Sequence, residues 1–314
     1  MPLLIGIDEA GLGPNLGPLV VAATVWEVPG PPADADFWGT FADVLTNSPT
    51  CNDRRLHVAD SKAVYKPPRE LGPLERSVQT LLRLGGVEAG TLGTLISALL
   101  PSAEEFPQSS PWGQTAAPVP AAWVPDVDAE LLQQWRDTCG ETGWRLKRVC
   151  AAVVIPEEFN RRIARWENKS SASSEVHFEV LRSVWPRDGR EPALVVSDKH
   201  GGRNRYGDLL TDLADGELVT CLRESATCSE YRLGKSTFRF QPRAEEHGPV
   251  ALASMVAKYL RELAMHQFNG FWKQYVPDLK PTQGYPVDAQ RFRRDIAAAQ
   301  ATLGISDDVL WRCR

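Results

Sequence analysis

Leu3-Leu4-Ile5-Gly6-Ile7-Asp8-Glu9-Ala10-Gly11-Leu12-Gly13-Pro14-Asn15-Leu16-Gly17-Pro18 stands near the head of a 314-residue chain, and a second apolar run, Leu19 to Val25, follows it. Two apolar runs around a Gly- and Pro-rich turn read as strand, tight turn, strand. Asp8 and Glu9 close the first strand. Side chains alternate across a strand, so one carboxylate should face inward while the other sits near the turn. An inward carboxylate in an apolar strand is costly unless a cation or a donor compensates it. Glycines 11, 13 and 17 let backbone N–H groups approach a ligand with no Cβ in the way. Two readings follow: metal-assisted chemistry on a phosphate, or a pair of carboxylates that merely cap a turn.

Working outward, Pro2 to about Gly86 forms a first α/β segment, with helices expected near 34–47 and 68–83. The pattern breaks at 87–143, which reads as an insertion of unknown role. It holds a short helix at Leu92 to Leu100, a Pro-rich connector from Pro101 to Pro125, and a helix capped by Asp126-Val127-Asp128 and running through Cys139. Its Trp112, Trp123 and Trp135 are expected to pack on the parent domain rather than stack on bases. The core resumes with a strand at Trp144 to Ile155 and a helix from Pro156 into the 180s. A short buried strand, Leu194 to Ser197, ends in Asp198. After it come a helix at Arg203 to Leu213, strands at 217–222 and 229–241, and helices at Val250 to Phe268 and Val287 to Leu303.

Hydrophobic residues make up 43% of the chain, enough for a substantial core. No run approaches the ~18 apolar residues of a membrane helix, and no signal peptide precedes the first strand, so no membrane partner is expected. Cysteines 51, 139, 150, 221, 228 and 313 have neither CxxC pairing nor zinc spacing, which suits free thiols in a reducing cytoplasm. A net charge of −5 argues mildly against nucleic acid as a partner. Basic residues nevertheless gather at Arg54-Arg55, Lys62, Lys199-His200, Arg203, Arg205 and Arg291 to Arg294, which leaves a local basic groove open.

Gly6-Ile7-Asp8-Glu9-Ala10-Gly11-Leu12-Gly13 resembles the opening motif of the type 2 ribonucleases H, the HII and HIII enzymes. Asp60-Ser61-Lys62, Ile155-Pro156-Glu157-Glu158-Phe159-Asn160, Val195-Val196-Ser197-Asp198, Arg243-Ala244-Glu245 with Ala251 to Lys258, and Gly284-Tyr285-Pro286-Val287-Asp288 resemble later motifs in the family's order. They cover roughly residues 3–86 and 144–300. Asn168-Lys169 and His177 are similar to the HIII form, as are a glutamate in the fourth acid position, Glu245, and Leu12 where the HII branch has arginine. The spacing from Glu245 to Ser254 is one residue short, which makes Glu246 an alternative fourth acid.

The resemblance implies an RNase H-like α/β domain, 1–86 with 144–314, built on a mixed five-stranded sheet with helices on both faces. It implies a metal-dependent endonuclease that cuts the RNA strand of RNA/DNA hybrids or ribonucleotide-containing duplexes, leaving 5′-phosphate and 3′-hydroxyl ends. Asp8, Glu9, Asp198 and Glu245 would hold two Mg2+ or Mn2+ ions about 4 Å apart, which activate a water and stabilise the leaving oxygen. Gly11, Leu12 and Gly13 would face the sugar beside the cut, where the 2′-OH distinguishes RNA from DNA. Tyr285 would stack on the strand, and Lys62 and Lys258 would contact phosphates. Leu12 offers no side-chain donor, so ribose recognition would rest on the backbone. Two alternatives stand beside this reading: a nuclease of the same fold acting on structured DNA, and a non-catalytic nucleic-acid-binding protein on the same scaffold.

Overall fold

The computed structural model describes residues 1–65, 71–101, 110–113, 116–122, 128–186 and 191–313. Trp123, Asp126, Val127 and much of the expected connector lie outside the described residues. The strands are β1 (Leu3–Ala10), β2 (Leu19–Glu27), β3 (Leu45–Thr46), β4 (Leu56–His57), β5 (Arg145–Val154), β6 (Ala193–Ser197), β7 (Val219–Glu224), β8 (Ser229–Leu233) and β9 (Ser236–Phe240). The helices are α1 (Phe37–Thr40), α2 (Ser61–Val64), α3 (Gly72–Leu84), α4 (Leu92–Leu99), α5 (Ala129–Thr142), α6 (Pro156–Trp166), α7 (Lys169–Val184), α8 (Gly207–Leu213), α9 (Gly248–Tyr275), α10 (Pro286–Leu303) and α11 (Asp307–Leu310).

The main sheet runs β5-β2-β1-β6-β9-β8-β7. β1 pairs antiparallel with β2 and parallel with β6, and β9 is parallel to β6. Five of these strands, β5-β2-β1-β6-β9, make a mixed sheet with helices on both faces. The sheet is nevertheless seven-stranded rather than five-stranded. The stretch 229–241 turns back at Gly234 (φ +56°) to give β8 and β9 as a hairpin, and β7 adds an exposed outer strand.

β1 and β2 lie inside the sheet and are apolar on both faces, which is why they read as continuous hydrophobic runs rather than alternating ones. Alternation still sorts their side chains. Leu4, Val20 and Ala22 join the cluster beneath α9, α3, α4 and α5, whereas Leu3, Ile5, Ile7, Leu19 and Val21 join the one beneath α6, α7 and α8. A third cluster sits between the second half of α9 and α10. Gly6 allows α9 to lie directly on β1, because a Cβ there would stand 2.2 Å from the Pro249 carbonyl carbon.

The helix expected at 34–47 is instead a 3₁₀ turn, the four-residue α1 and the short β3. Phe37 and Phe41 have helical spacing, but they wrap the fully buried Trp26, with ring centroids 5.4 and 5.6 Å away. The long middle helix breaks at Glu167 (φ +52°), and the Asn168 side chain restarts it by accepting from Ser170 N (2.8 Å) and Ser171 N (3.3 Å). The stretch 87–143 contributes to the cores: Trp135 is fully buried and stacks on Trp26 at 6.2 Å, and Trp112 meets Phe268 edge-on at 4.9 Å. The Asp128 carboxylate accepts no capping bond from α5; it instead accepts a forked pair of bonds from Arg76, at 2.6 and 2.8 Å.

Candidate active site

Asp8 and Glu9 occupy the last turn of pleat in β1 and point to opposite faces. Asp8 faces α9, where the Ser254 hydroxyl acts on its carboxylate. Glu9 faces α7, with its Oε2 3.6 Å from Nε2 of His177. Asp198 follows β6, the parallel neighbour of β1, and accepts from Lys199 N at 2.8 Å. Glu245 lies in the 3₁₀ turn Ala244–Glu246 that leads into α9. The sheet order thus brings three acids to the ends of two adjacent strands, and the turn before α9 brings the fourth.

The electrostatics show that these groups interact. Burial, then Glu9, raises the Asp8 carboxyl well above its ordinary range, and Asp198 adds to this. Burial and then Asp198 push Glu9 up to about 7, partly offset by Lys62. Asp198 is raised by burial, with Asp60 adding to it, and Glu245 is raised by burial, Asp60 and Asp198. Glu246, by contrast, is exposed and lies 3.8 Å from Arg243, so Glu245 is the acid of the pair that faces the cluster.

All these donors are hard carboxylate oxygens with raised proton affinity, the chemistry that suits Mg2+ or Mn2+. Among the described residues no group of three or more His, Cys, Asp or Glu is spaced to enclose a metal. Magnesium takes one or two carboxylates with waters and the substrate's phosphates, and carboxylates at the ends of neighbouring strands are of that donor type. The residues present fit such an ion.

Around the acids, Gly11 has φ +96°, and a Cβ there would come within 2.6 Å of Pro18 O. Leu12 packs its side chain against the apolar cluster under α6 to α8, and Gly13 is exposed. Tyr285 stands beside Gly13, with Cε1 3.9 Å from where a Cβ would be, and is 53% exposed. Asn15 N donates to Gly284 O at 2.7 Å, which binds the tyrosine turn to the glycine loop. Lys62 faces the carboxylates. Lys258 does not join them: its Nζ is 2.5 Å from Glu262 and sits over the Tyr65 ring at 5.5 Å.

The structure adds contacts that the sequence motifs do not give. Asp60 lies within electrostatic reach of Asp198 and Glu245 while capping α2 through Lys62 N (3.0 Å). His177 and His200 are buried with ring centroids 4.0 Å apart; burial keeps His177 neutral, down at about 3.

No protein-family profile and no curated protein matches the chain. Among solved structures it is similar to RNase HII of Archaeoglobus fulgidus, seen in complex with PCNA: 16% identity, TM-score 0.43, covering 99% of this chain and 94% of that one. Against ribonuclease H2 of Pyrococcus horikoshii OT3 the values are 15%, 0.46, 98% and 92%. Against Bst-RNase HIII in complex with Mn2+ they are 16%, 0.45, 99% and 66%. At this identity no residue's role is carried over from them.

Proposed function

We propose that this chain is a divalent-metal-dependent endonuclease that hydrolyses the RNA strand of RNA/DNA hybrids and leaves 5′-phosphate and 3′-hydroxyl ends. What supports the reading is placement: Asp8 and Glu9 end β1, Asp198 follows the neighbouring parallel strand β6, and Glu245 lies in the turn before α9, with all four carboxyls raised by burial. A scaffold that only bound nucleic acid would gain nothing from setting repelling carboxylates against a polyanion.

Mg2+ or Mn2+, when bound, would supply an activated water and charge neutralisation at the leaving oxygen. Asp8 and Asp198, from adjacent strands, would hold it, with Glu9 and Glu245 to either side. Glu9 can hold a proton near neutral pH and release it when the local charge rises. Lys62 offsets the like charges and offers a donor to a phosphate. The exposed Gly13 would admit a sugar close to the backbone, with Gly11 packed inward beneath the loop, and the exposed ring of Tyr285 would give it a platform.

A structured-DNA nuclease is favoured by one observation: the partly buried Leu12 side chain packs against the apolar cluster and offers no donor to a sugar. Incubating the protein with an end-labelled hybrid, a matched all-DNA duplex and a single-ribonucleotide duplex, in Mg2+ or Mn2+, separates the readings. Cutting of ribose-containing strands alone supports the ribonuclease; cutting of DNA alone, unchanged by Leu12→Arg, supports the other.

A further inference from the structure

Arg312 is a fully buried cation whose partners lie at the opposite end of the chain. Its Nη2 donates to the carbonyls of both Gly11 and Pro14, and its own N–H donates to Asn15 O at 2.8 Å. Arg261 of α9 takes the rest of the loop, donating to Pro18 O at 2.5 Å and Leu16 O at 3.2 Å. Two arginines distant in sequence therefore bind five of the loop's carbonyls: Gly11, Pro14, Asn15, Leu16 and Pro18. Both guanidiniums are destabilised by burial, Arg261 down to about 10 and Arg312 well below its ordinary value, with Arg261 adding to the latter by repulsion.

Both side-chain bonds leave from one nitrogen, Nη2, while the buried Nε and Nη1 have no partner among the described residues. A planar guanidinium fixes the direction of those two N–H groups, whereas an ammonium on a freely rotating stem would not. The segment around Arg312 is itself tied down: Asn160 of α6 donates to Trp311 O (2.8 Å) and accepts from Cys313 N (2.8 Å), and Leu16 forms a bridge with Trp311. Arg312 also lies over the Phe159 ring at 5.5 Å. Consequently the guanidinium is placed by the fold before any substrate arrives.

In a planar trans peptide the carbonyl of one residue and the N–H of the next point in opposite directions. Drawing the Gly11 carbonyl onto Arg312 therefore turns the Leu12 N–H away from the guanidinium. We propose that Arg312 is a positioning residue that locks the Gly11–Leu12 peptide so that the Leu12 N–H is presented to the substrate's sugar. The clamp stands on geometry alone; its effect on substrate rests on the nuclease reading above.

The test is amide hydrogen exchange on the full-length chain, following Asn15 and Leu16, whose N–H groups bond to Gly284 O. Arg312→Met should speed their exchange about tenfold or more while the buried amides of α9 keep wild-type rates, and Arg312→Lys should fall between. Asn160→Ala, which loosens the 311–313 segment and leaves Arg312 in place, should give a smaller increase confined to the same loop. It carries the test if Arg312→Met does not fold. In hybrid cleavage, Arg312→Met should raise KM about tenfold and leave kcat within about threefold, with Arg312→Lys partly rescuing it. Unchanged loop exchange in Arg312→Met and Asn160→Ala overturns the proposal, and so does an increase shared equally by α9. If wild type cuts nothing yet the loop responds as stated, the clamp stands and the nuclease reading falls.

Discussion

Replacing Glu9 by glutamine should stabilise the metal-free protein above neutral pH while removing a carboxylate from the cluster. Burial first, and Asp198 second, raise the Glu9 carboxyl from 4.5 to about 7. Between those pH values the folded state binds more protons than the unfolded one, so unfolding free energy falls as pH rises through the window and stays low above it. The interval, at about 1.4 kcal/mol per pH unit, amounts to about 3 kcal/mol of lost stability at pH 8. The side chain is only 20% exposed, so solvent screens little of this. Glutamine keeps the shape and has no such titration. In EDTA, wild type and Glu9→Gln should unfold alike below pH 4.5 and diverge up to pH 7, with a gap in Tm of roughly 6 °C at pH 8. Excess Mg2+ should close much of the gap by binding the folded wild type. A gap of the same size at pH 5 and pH 8, or a variant less stable than wild type at pH 8, would refute the reasoning.

Gly6→Ala should cost several kcal/mol or prevent folding, since its Cβ would meet the α9 backbone within 2.5 Å at three atoms; urea unfolding measures it. Trp135→Ala should cost about 3–5 kcal/mol, seen in the same assay, because the ring is fully buried against Trp26 and Phe41; a loss under 1 kcal/mol would mean that the 87–143 stretch is dispensable to the core. Tyr285→Ala should leave Tm within about 1 °C, the ring being more than half exposed, yet weaken binding of a hybrid in Ca2+ severalfold.

What the sequence reveals of this site is what local pattern encodes. The period of two along Leu3 to Ala10 places Asp8 and Glu9 on opposite faces, and the apolar run before Asp198 places that acid at a strand end. Phe37, Phe41, Val44 and Leu45 mislead because burial around one tryptophan imposes helix-like spacing on a segment with little helix. Asn168 after Glu167 carries a cap signal that a continuous apolar stripe obscures. Lys258 and Glu262 are an i,i+4 pair, so the engagement of that lysine was readable from spacing alone. Arg312 was not: nothing local says that an arginine will be buried against carbonyls 298 and 301 residues away. The same holds for His177 beside Glu9, a contact made only when α7 lies on β1.

Cleavage of an end-labelled RNA/DNA hybrid by wild type, Asp8→Asn and Asp198→Asn, with and without Mg2+, tests the central claim most directly. We expect metal-dependent cutting by wild type and at least a hundredfold loss in each variant, with both variants folded by circular dichroism. Cutting that persists in EDTA, or in folded Asp8→Asn and Asp198→Asn at wild-type rate, would contradict the account.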